Sequence, residues 1–327
     1  MFNLAVIKNR KIFLTISGIL VSLSIIALFS WGLNFGIDFT GGSLLEVKFH
    51  GEKPSAGEVR DELRDLNLGA LIVQDTDNNS VILRFRDETS LSHENIMSRL
   101  ESLSDSLNYD EADESQGALE VGDDGSVVID MSEANPSLVE ELRFDSVGPS
   151  IGKELQSRSF NTIILVLVII VLYIALVFRK VSRPVSSWKY GIAAIVALFH
   201  DVLIVLGIFA VLGKFYGTEI NTPFIAAILT VLGYSVNDSI IVFDRIRESL
   251  PKSVDNFKNT INKSINSVLV RSINTSFTTL LVLLAILFFG GESIRDFVLA
   301  LAIGIFIGTY SSIFIASPVL VWFEKRK

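Results

Sequence analysis

Residues 222–248 read TPFIAAILTVLGYSVNDSIIVFDRIRE. From Thr222 to Phe243 the only charged side chain is Asp238; charges then arrive together at Asp244, Arg245, Arg247 and Glu248. A bilayer core of about 30 Å needs about 20 apolar helical residues to cross it. The run therefore reads as a membrane span that ends in an interfacial charge cluster. Asp238 comes fifteen residues after Pro223, about 22 Å along a helix axis, which places it toward the charged end.

Working outward, five further runs have the same character: 12–32, 160–178, 191–212, 271–290 and 297–323. The first follows Lys8, Arg10 and Lys11 as a signal peptide would. Its apolar run is too long for that, and no small-x-small cleavage site follows, so it reads as a retained anchor. Half of the 327 residues are apolar, and the mean hydropathy is +0.50, which excludes disorder and points to a membrane. The absence of cysteine excludes disulfide-stapled modules and thiolate metal sites, and three histidines leave little for a histidine-rich one.

Charge divides the chain. Residues 33–157 hold 27 acids against 9 bases, a net −18, and the remainder carries +10. An acidic domain embedded in a basic, apolar frame is no partner for nucleic acid, whose phosphates need a basic surface. Lys8, Arg10 and Lys11, then Arg179, Lys180, Arg183 and Lys189, then the cations of 244–270, then Lys325, Arg326 and Lys327 fall on one side of the spans; the opposite short loops offer Lys214 and Arg295. The positive-inside rule puts the N-terminal 1–11, the loop 244–270 and the C-terminal 324–327 in the cytoplasm, with the domain 33–157 outside, in the periplasm.

Within that domain, Leu44 to Phe49, Val81 to Phe85, Ser126 to Met131 and Leu138 to Phe144 read as strands. Ser55 to Leu66 opens with a capping box, Ser55 and Glu58, and Ser90 to Leu107 carries Ile96, Leu100, Leu103 and Leu107 at helical spacing. A strand–helix–strand–strand–helix–strand order predicts a ferredoxin-like α+β fold. Asp110 to Gly125 reads as an acidic insertion. The fold class is thus a six-span α-helical membrane protein with one ferredoxin-like α+β extracytoplasmic domain.

Ionisable groups in hydrocarbon are costly and are functional candidates by default. Asp238 shares a helical face with Tyr234, Ile241 and Arg245, with Asn237 beside it; Arg271, Asn274, Thr275 and Thr278 lie on one side of the fifth span. Asp238 and Arg271 would lie at similar depth. A guanidinium neighbour favours the charged carboxylate and its withdrawal favours the protonated form, so the pair could act as a proton switch; a structural ion pair joining two helices is the other reading. Asp201, beside His200 in the third span, reads as an interhelical hydrogen-bond partner, with His200 as its support or as a proton relay. An intramembrane aspartyl protease using both acids lacks the expected Gly-x-Gly-Asp motif. Gly304 and Gly308 read as a close-packing surface, and Asp255 to Leu269 as an amphipathic helix lying along the cytoplasmic interface, with a soluble helical loop as the other reading.

The motifs FGIDFTGG at 35–42, VGPSIG at 147–152, ALFHD at 197–201, the run from Gly233 to Glu248, and RSINTS at 271–276 followed by Thr278 and Thr279 occur in that order. Together they resemble the bacterial SecD/SecF protein-export family, end to end. The six spans and the Asn237–Asp238 pair resemble its SecF branch. The resemblance implies a half-unit of the resistance–nodulation–division superfamily in a bacterial inner membrane, paired with SecD as a pseudosymmetric twelve-span complex. It further implies association with the SecYEG channel and, often, YajC. The proton gradient would help to complete export of the preprotein, with no cofactor beyond protons as the coupling ion and no enzymatic activity. Asp238 and Arg271 match family positions that take part in proton conduction. A passive scaffold that only stabilises the translocase is the alternative.

The glycine motifs also have a physical reading. Gly36, Gly41 and Gly42 permit backbone conformations closed to other residues where a span turns into a sheet. Gly148 and Pro149 form the return turn and start a helix near Ser150, and Asp38 reads as a turn, capping or surface-pairing residue.

Overall fold

The computed structural model describes residues 4–66, 68, 69, 71–76, 79–86, 90–112, 138–177, 187–291 and 294–323. In chain order the elements are α1 (Arg10–Trp31), α2 (Ile37–Thr40), β1 (Gly42–Phe49), α3 (Ala56–Glu62), β2 (Ile72–Asp75), β3 (Ser80–Phe85), α4 (Ser90–Ala112), β4 (Val139–Val147), α5 (Pro149–Val177), α6 (Ser187–Tyr216), α7 (Thr222–Ser249), α8 (Phe257–Phe289), α9 (Arg295–Ser311), a π-helical turn (Ser312–Ala316) and α10 (Ser317–Trp322). The chain divides into two compact units, Ile37–Leu155 and the rest.

In the first unit four strands form one antiparallel sheet in the order β2-β3-β1-β4, with α3 and α4 inserted after β1 and β3. This is the split β-α-β arrangement expected from the element order. Alternation explains the core: Leu45, Val47 and Phe49 of β1 and Val81, Leu83 and Phe85 of β3 point to one face, where Val59 of α3, Leu63 at its C-cap, and Ile96 and Leu100 of α4 meet them. Each such side chain contributes about 1.5–3 kcal/mol on burial. The capping box forms in full: Glu58 N donates to Ser55 Oγ at 3.3 Å, and Ser55 N to Glu58 Oε2 at 2.8 Å.

No strand is expected from the sequence at β2, and the structure adds one there. The strand β2 carries a single buried side chain, Val73, and four residues at a sheet edge leave no alternating pattern to read. The strand expected at Ser126–Met131 and most of the acidic insertion Asp110–Gly125 lie outside the described residues, as do Arg179, Lys180, Arg183 and the cations of 324–327.

In the second unit six helical segments are long and apolar enough to cross a membrane, with α9, the π turn and α10 together making the sixth. The helices α6, α7 and α9 supply the interior. Small residues let them approach: a Cβ at Gly304 of α9 would overlap the Val231 methyls of α7, and one at Gly207 of α6 would overlap Ser24 of α1. The N-terminus of α7 is capped by Asn221, whose Oδ1 accepts from Phe224 N at 3.2 Å, with Pro223 in the first turn. The turn ahead of Asn221 is tied to the end of α1: Ile220 N donates to Asn34 O at 2.7 Å, and Gly36 N to Ile220 O at 2.8 Å.

The amphipathic stretch Asp255–Leu269 does not form a separate interfacial helix. No glycine or proline interrupts 257–289, and α8 runs unbroken over all 33 residues, about 50 Å, longer than the bilayer core is thick. Its predicted apolar face, including Ile261, Ile265 and Leu269, is buried inside the unit. The polar side of this segment has its own use. Asn266 and Asn262 hold the chain ahead of α1: Leu4 N donates to Asn266 Oδ1 at 2.8 Å, Asn266 Nδ2 to Leu4 O at 2.9 Å, and Ile7 N to Asn262 Oδ1 at 3.1 Å. Val6 and Ile7 are buried there.

Candidate functional site

The face of α7 that carries Tyr234, Asp238 and Arg245 meets hydroxyls of α8 rung by rung. Tyr234 Oη donates to Ser276 Oγ at 3.0 Å, Ser272 Oγ to Asp238 Oδ1 at 2.6 Å, and Arg245 Nε to Ser267 Oγ at 3.0 Å. The two helices run antiparallel, so rising numbers on α7 pair with falling numbers on α8. From the other side Ser312 donates to Asp238 Oδ2. Asp238 is 6% exposed, and these neutral hydroxyls are its hydrogen-bond partners among the described residues.

A second carboxylate, Asp201 of α6, is fully buried at 0% exposure. Ser235 Oγ of α7 donates to its Oδ2 at 2.6 Å, Ser311 Oγ of α9 to the same oxygen at 2.8 Å, and His200 Nδ1 lies 3.0 Å from Oδ1. The imidazole faces the Tyr310 ring at 6.3 Å, and Tyr310 Oη in turn donates to Phe13 O of α1 at 3.2 Å. Ser276 Oγ and Thr309 Oγ1, 2.6 Å apart, extend the polar layer between α8 and α9. The two aspartates thus stand in separate cages of hydroxyls, with no hydrogen bond between them among the described residues. A dyad sharing one proton, as an aspartyl protease needs, is not formed.

The π turn gives the layer its shape. Pro318 has no N–H, and its ring crowds the carbonyl four residues back, so the regular ladder fails just ahead of it. Ser312–Ala316 adopt the wider π conformation instead. Ser311 and Ser312, adjacent at its start, point to carboxylates on two different helices.

Other residues singled out in the sequence lie elsewhere. Arg271 is exposed and makes no ion pair among the described residues; Ser272, the next residue along α8, occupies the position facing Asp238. A single residue step turns a helix by about 100°, enough to carry one side chain inward and its neighbour outward. Asn237, Asn274, Thr275 and Thr278 are exposed as well; Thr275 and Thr278 donate back to their own helix, at 2.9 Å each. Gly41 and Gly42 have φ of 74° and 124°, the region that favours glycine, and a Cβ at Gly41 would come within 2.8 Å of Pro149 Cα. Gly36 lies outside that region; there the requirement is space, since a Cβ would meet Glu219 Oε2 at 3.0 Å. Asp38 is half-buried in α2. Gly148 accepts from Gly152 N at 3.0 Å, and Pro149 is the first residue of α5.

Serines 235, 272, 276, 311 and 312 and Thr309 escape a reading of the sequence. The available signal was their position in otherwise apolar spans, where hydroxyls serve as interhelical glue.

Residues 127–326 match the family model for the C-terminal region of the protein export membrane proteins SecD/SecF, and residues 26–52 match the SecD/SecF GG motif, which contains Gly41 and Gly42. The protein translocase subunit SecF of Thermobaculum terrenum is 40% identical over 322 residues, covering 98% of this chain and 94% of that one. That of Desulfurispirillum indicum is 38% identical over 331 residues, covering 98% and 91%. Among solved structures, the translocon-associated membrane protein SecDF of Thermus thermophilus matches with a TM-score of 0.76 at 31% identity, over 98% of this chain and 38% of that longer one.

Proposed function

The chain belongs to the SecD/SecF family of protein export membrane proteins, and from that membership we propose that it is a SecF-type subunit that uses the proton motive force to assist preprotein translocation. It is a multi-pass membrane protein of the protein-transport class. In this reading it lies in a bacterial inner membrane with both termini cytoplasmic and the acidic domain periplasmic, as its flanking cations favour. The observation that carries the proton role is the burial of Asp238 among neutral hydroxyls. A carboxylate at that depth, with no cation in its cage among the described residues, can be occupied by a proton without breaking an ion pair. The field across the membrane supplies about 2.3 kcal/mol per charge per 100 mV.

The partner in this reading is SecD. Asn237, Arg271, Asn274, Thr275 and Thr278 are exposed within membrane-crossing helices, where lipid would be a poor solvent for them. A second six-span subunit laid against α7 and α8 would cover them and bring Arg271 into a protein environment. SecYEG, the preprotein and, in many such systems, YajC complete the expected assembly; no cofactor beyond protons is needed.

The test is Asp238→Asn in membrane vesicles energised by a proton gradient, reading proton flux and preprotein release together. Loss of both with normal assembly supports the reading. Unchanged activity in both favours the passive scaffold, in which the buried carboxylate serves packing alone.

A further inference from the structure

Two carboxylates are buried among the spans, and adjacent residues hold them. Ser311 Oγ donates to Asp201 on α6, and Ser312 donates to Asp238 on α7. Ser235, which also donates to Asp201, sits three residues before Asp238 on the same helix. The cages therefore share α7 and the start of the π turn.

The Asp201 cage contains something that the Asp238 cage lacks. An ionised carboxylate offers only acceptors, so with Asp201 in that form His200 Nδ1 would donate to it and Nε2 would be the ring nitrogen left to accept. Nε2 is buried without a hydrogen-bond partner among the described residues, on a residue 5% exposed. A proton arriving at Nε2 would form an imidazolium against the Asp201 carboxylate, two charges that cancel.

Both serines also have a second acceptor in reach. Ser311 Oγ lies 3.1 Å from Gly308 O, and Ser312 Oγ lies 3.0 Å from Thr309 O. A hydroxyl has one hydrogen and serves one acceptor at a time with full strength. When its carboxylate takes up a proton and becomes a donor, the serine can turn its own hydrogen to the backbone. Those carbonyls lie in the last turn of α9, immediately ahead of the π turn, where back-bonding of this kind bends a helix. A change at one carboxylate would thus act one residue away from the serine that holds the other.

We propose that His200 and Asp201 form a second proton-holding site, coupled to Asp238 through the adjacent hydroxyls of Ser311 and Ser312. The inference deepens the proton-driven reading above and rests on it. The groups around the two cages are few. α9 contributes Tyr310, with Arg295 and Asp296 far off in its first turn; α7 contributes Tyr234 as well as Asp238, with Asp244 and Arg245 further along. α8 contributes Arg271, which is turned outward; Arg10 and Lys11 of α1, and Lys189 and Lys214 of α6, lie near the ends of their helices.

The experiment is an infrared titration of the protonated-carboxyl band, using the full chain with its SecD partner in proteoliposomes. Asp238→Asn and Asp201→Asn assign the bands. The midpoint for Asp238 is expected to move by about half a pH unit or more, roughly threefold in proton affinity, in both Asp201→Asn and His200→Gln. Replacing Ser311 and Ser312 together with alanine is expected to shrink that displacement. An Asp238 curve that superimposes on the wild-type curve in His200→Gln and Asp201→Asn overturns the coupling; if Asp201→Asn does not fold, His200→Gln alone decides. If Asp238→Asn abolishes proton-driven export while the Asp238 curve is unmoved in His200→Gln, only this inference fails. If Asp238→Asn exports normally, it is the proton-driven reading itself that fails.

Discussion

Ser272 Oγ donates to Asp238 Oδ1 at 2.6 Å, and the residue before it, Arg271, faces out of the unit. The carboxylate is thus held from α8 by a neutral hydroxyl, while the cation that shares its depth is presented to the surface.

Removing that hydroxyl should be felt twice. Ser272→Ala leaves a buried acceptor short of a donor, which costs about 1–3 kcal/mol. A lower melting temperature in detergent and slower gradient-driven preprotein release are expected, and Ser272→Thr, which keeps the hydroxyl, should recover most of both. A Ser272→Ala protein as stable and as active as the parent would show that the bond carries no weight.

The contact of α7 with α9 is set by a missing side chain. A Cβ on Gly304 would overlap the branched, stiff Val231. Gly304→Ala should therefore destabilise the bundle by about 1–3 kcal/mol, and Val231→Ala in the same chain should return part of that loss. A thermal double-mutant cycle measures the interaction directly; additive effects would mean that the helices can part without cost.

Acid should loosen α3 before the rest of its unit. Hydrogen bonds from the Ser55 backbone and hydroxyl hold the Glu58 carboxyl below the ordinary glutamate range. A depressed folded value gives stability that is present above the unfolded value and is lost as pH falls through the folded one. Hydrogen exchange at the first amides of α3 should rise in that acid window, and Glu58→Gln should flatten the dependence.

The chain ahead of α1 is held by side-chain amides. Asn262→Ala together with Asn266→Ala removes four hydrogen bonds to Leu4 and Ile7, each worth about 0.5–1.5 kcal/mol net. Limited proteolysis near residue 4 should accelerate, with the melting temperature lowered modestly. Unchanged cleavage would show that the burial of Val6 and Ile7 suffices.

Because the chain has no cysteine, single introduced thiols report on topology without background. Glu52→Cys in the acidic unit and Lys252→Cys between α7 and α8 should react from opposite sides of intact vesicles. Labelling of both from the same side would contradict the proposed orientation.

Much of this protein is written along one dimension. The length of an apolar run, the placement of flanking cations, the Ser55–Glu58 box and the alternation in β1 and β3 are local properties, so six spans, two helices of the acidic domain and the strands β1, β3 and β4 could be read directly, while β2, short and at a sheet edge, could not. Asp238 stood out because a carboxylate among apolar neighbours is rare. The cages around Asp238 and Asp201 were not legible, because a serine carries no local mark of what it will face. Whether residue 271 or 272 meets α7 depends on a rotation of about 100°, and packing of α8 as a whole selects that rotation by burying Ile261, Ile265 and Leu269. The approach of α9 to α7 at Gly304 and the π turn ahead of Pro318 then bring two neighbouring hydroxyls, Ser311 and Ser312, to two different acids. Chain order determines which groups are available to this membrane protein, and only the packing of helices against one another decides which of them touch.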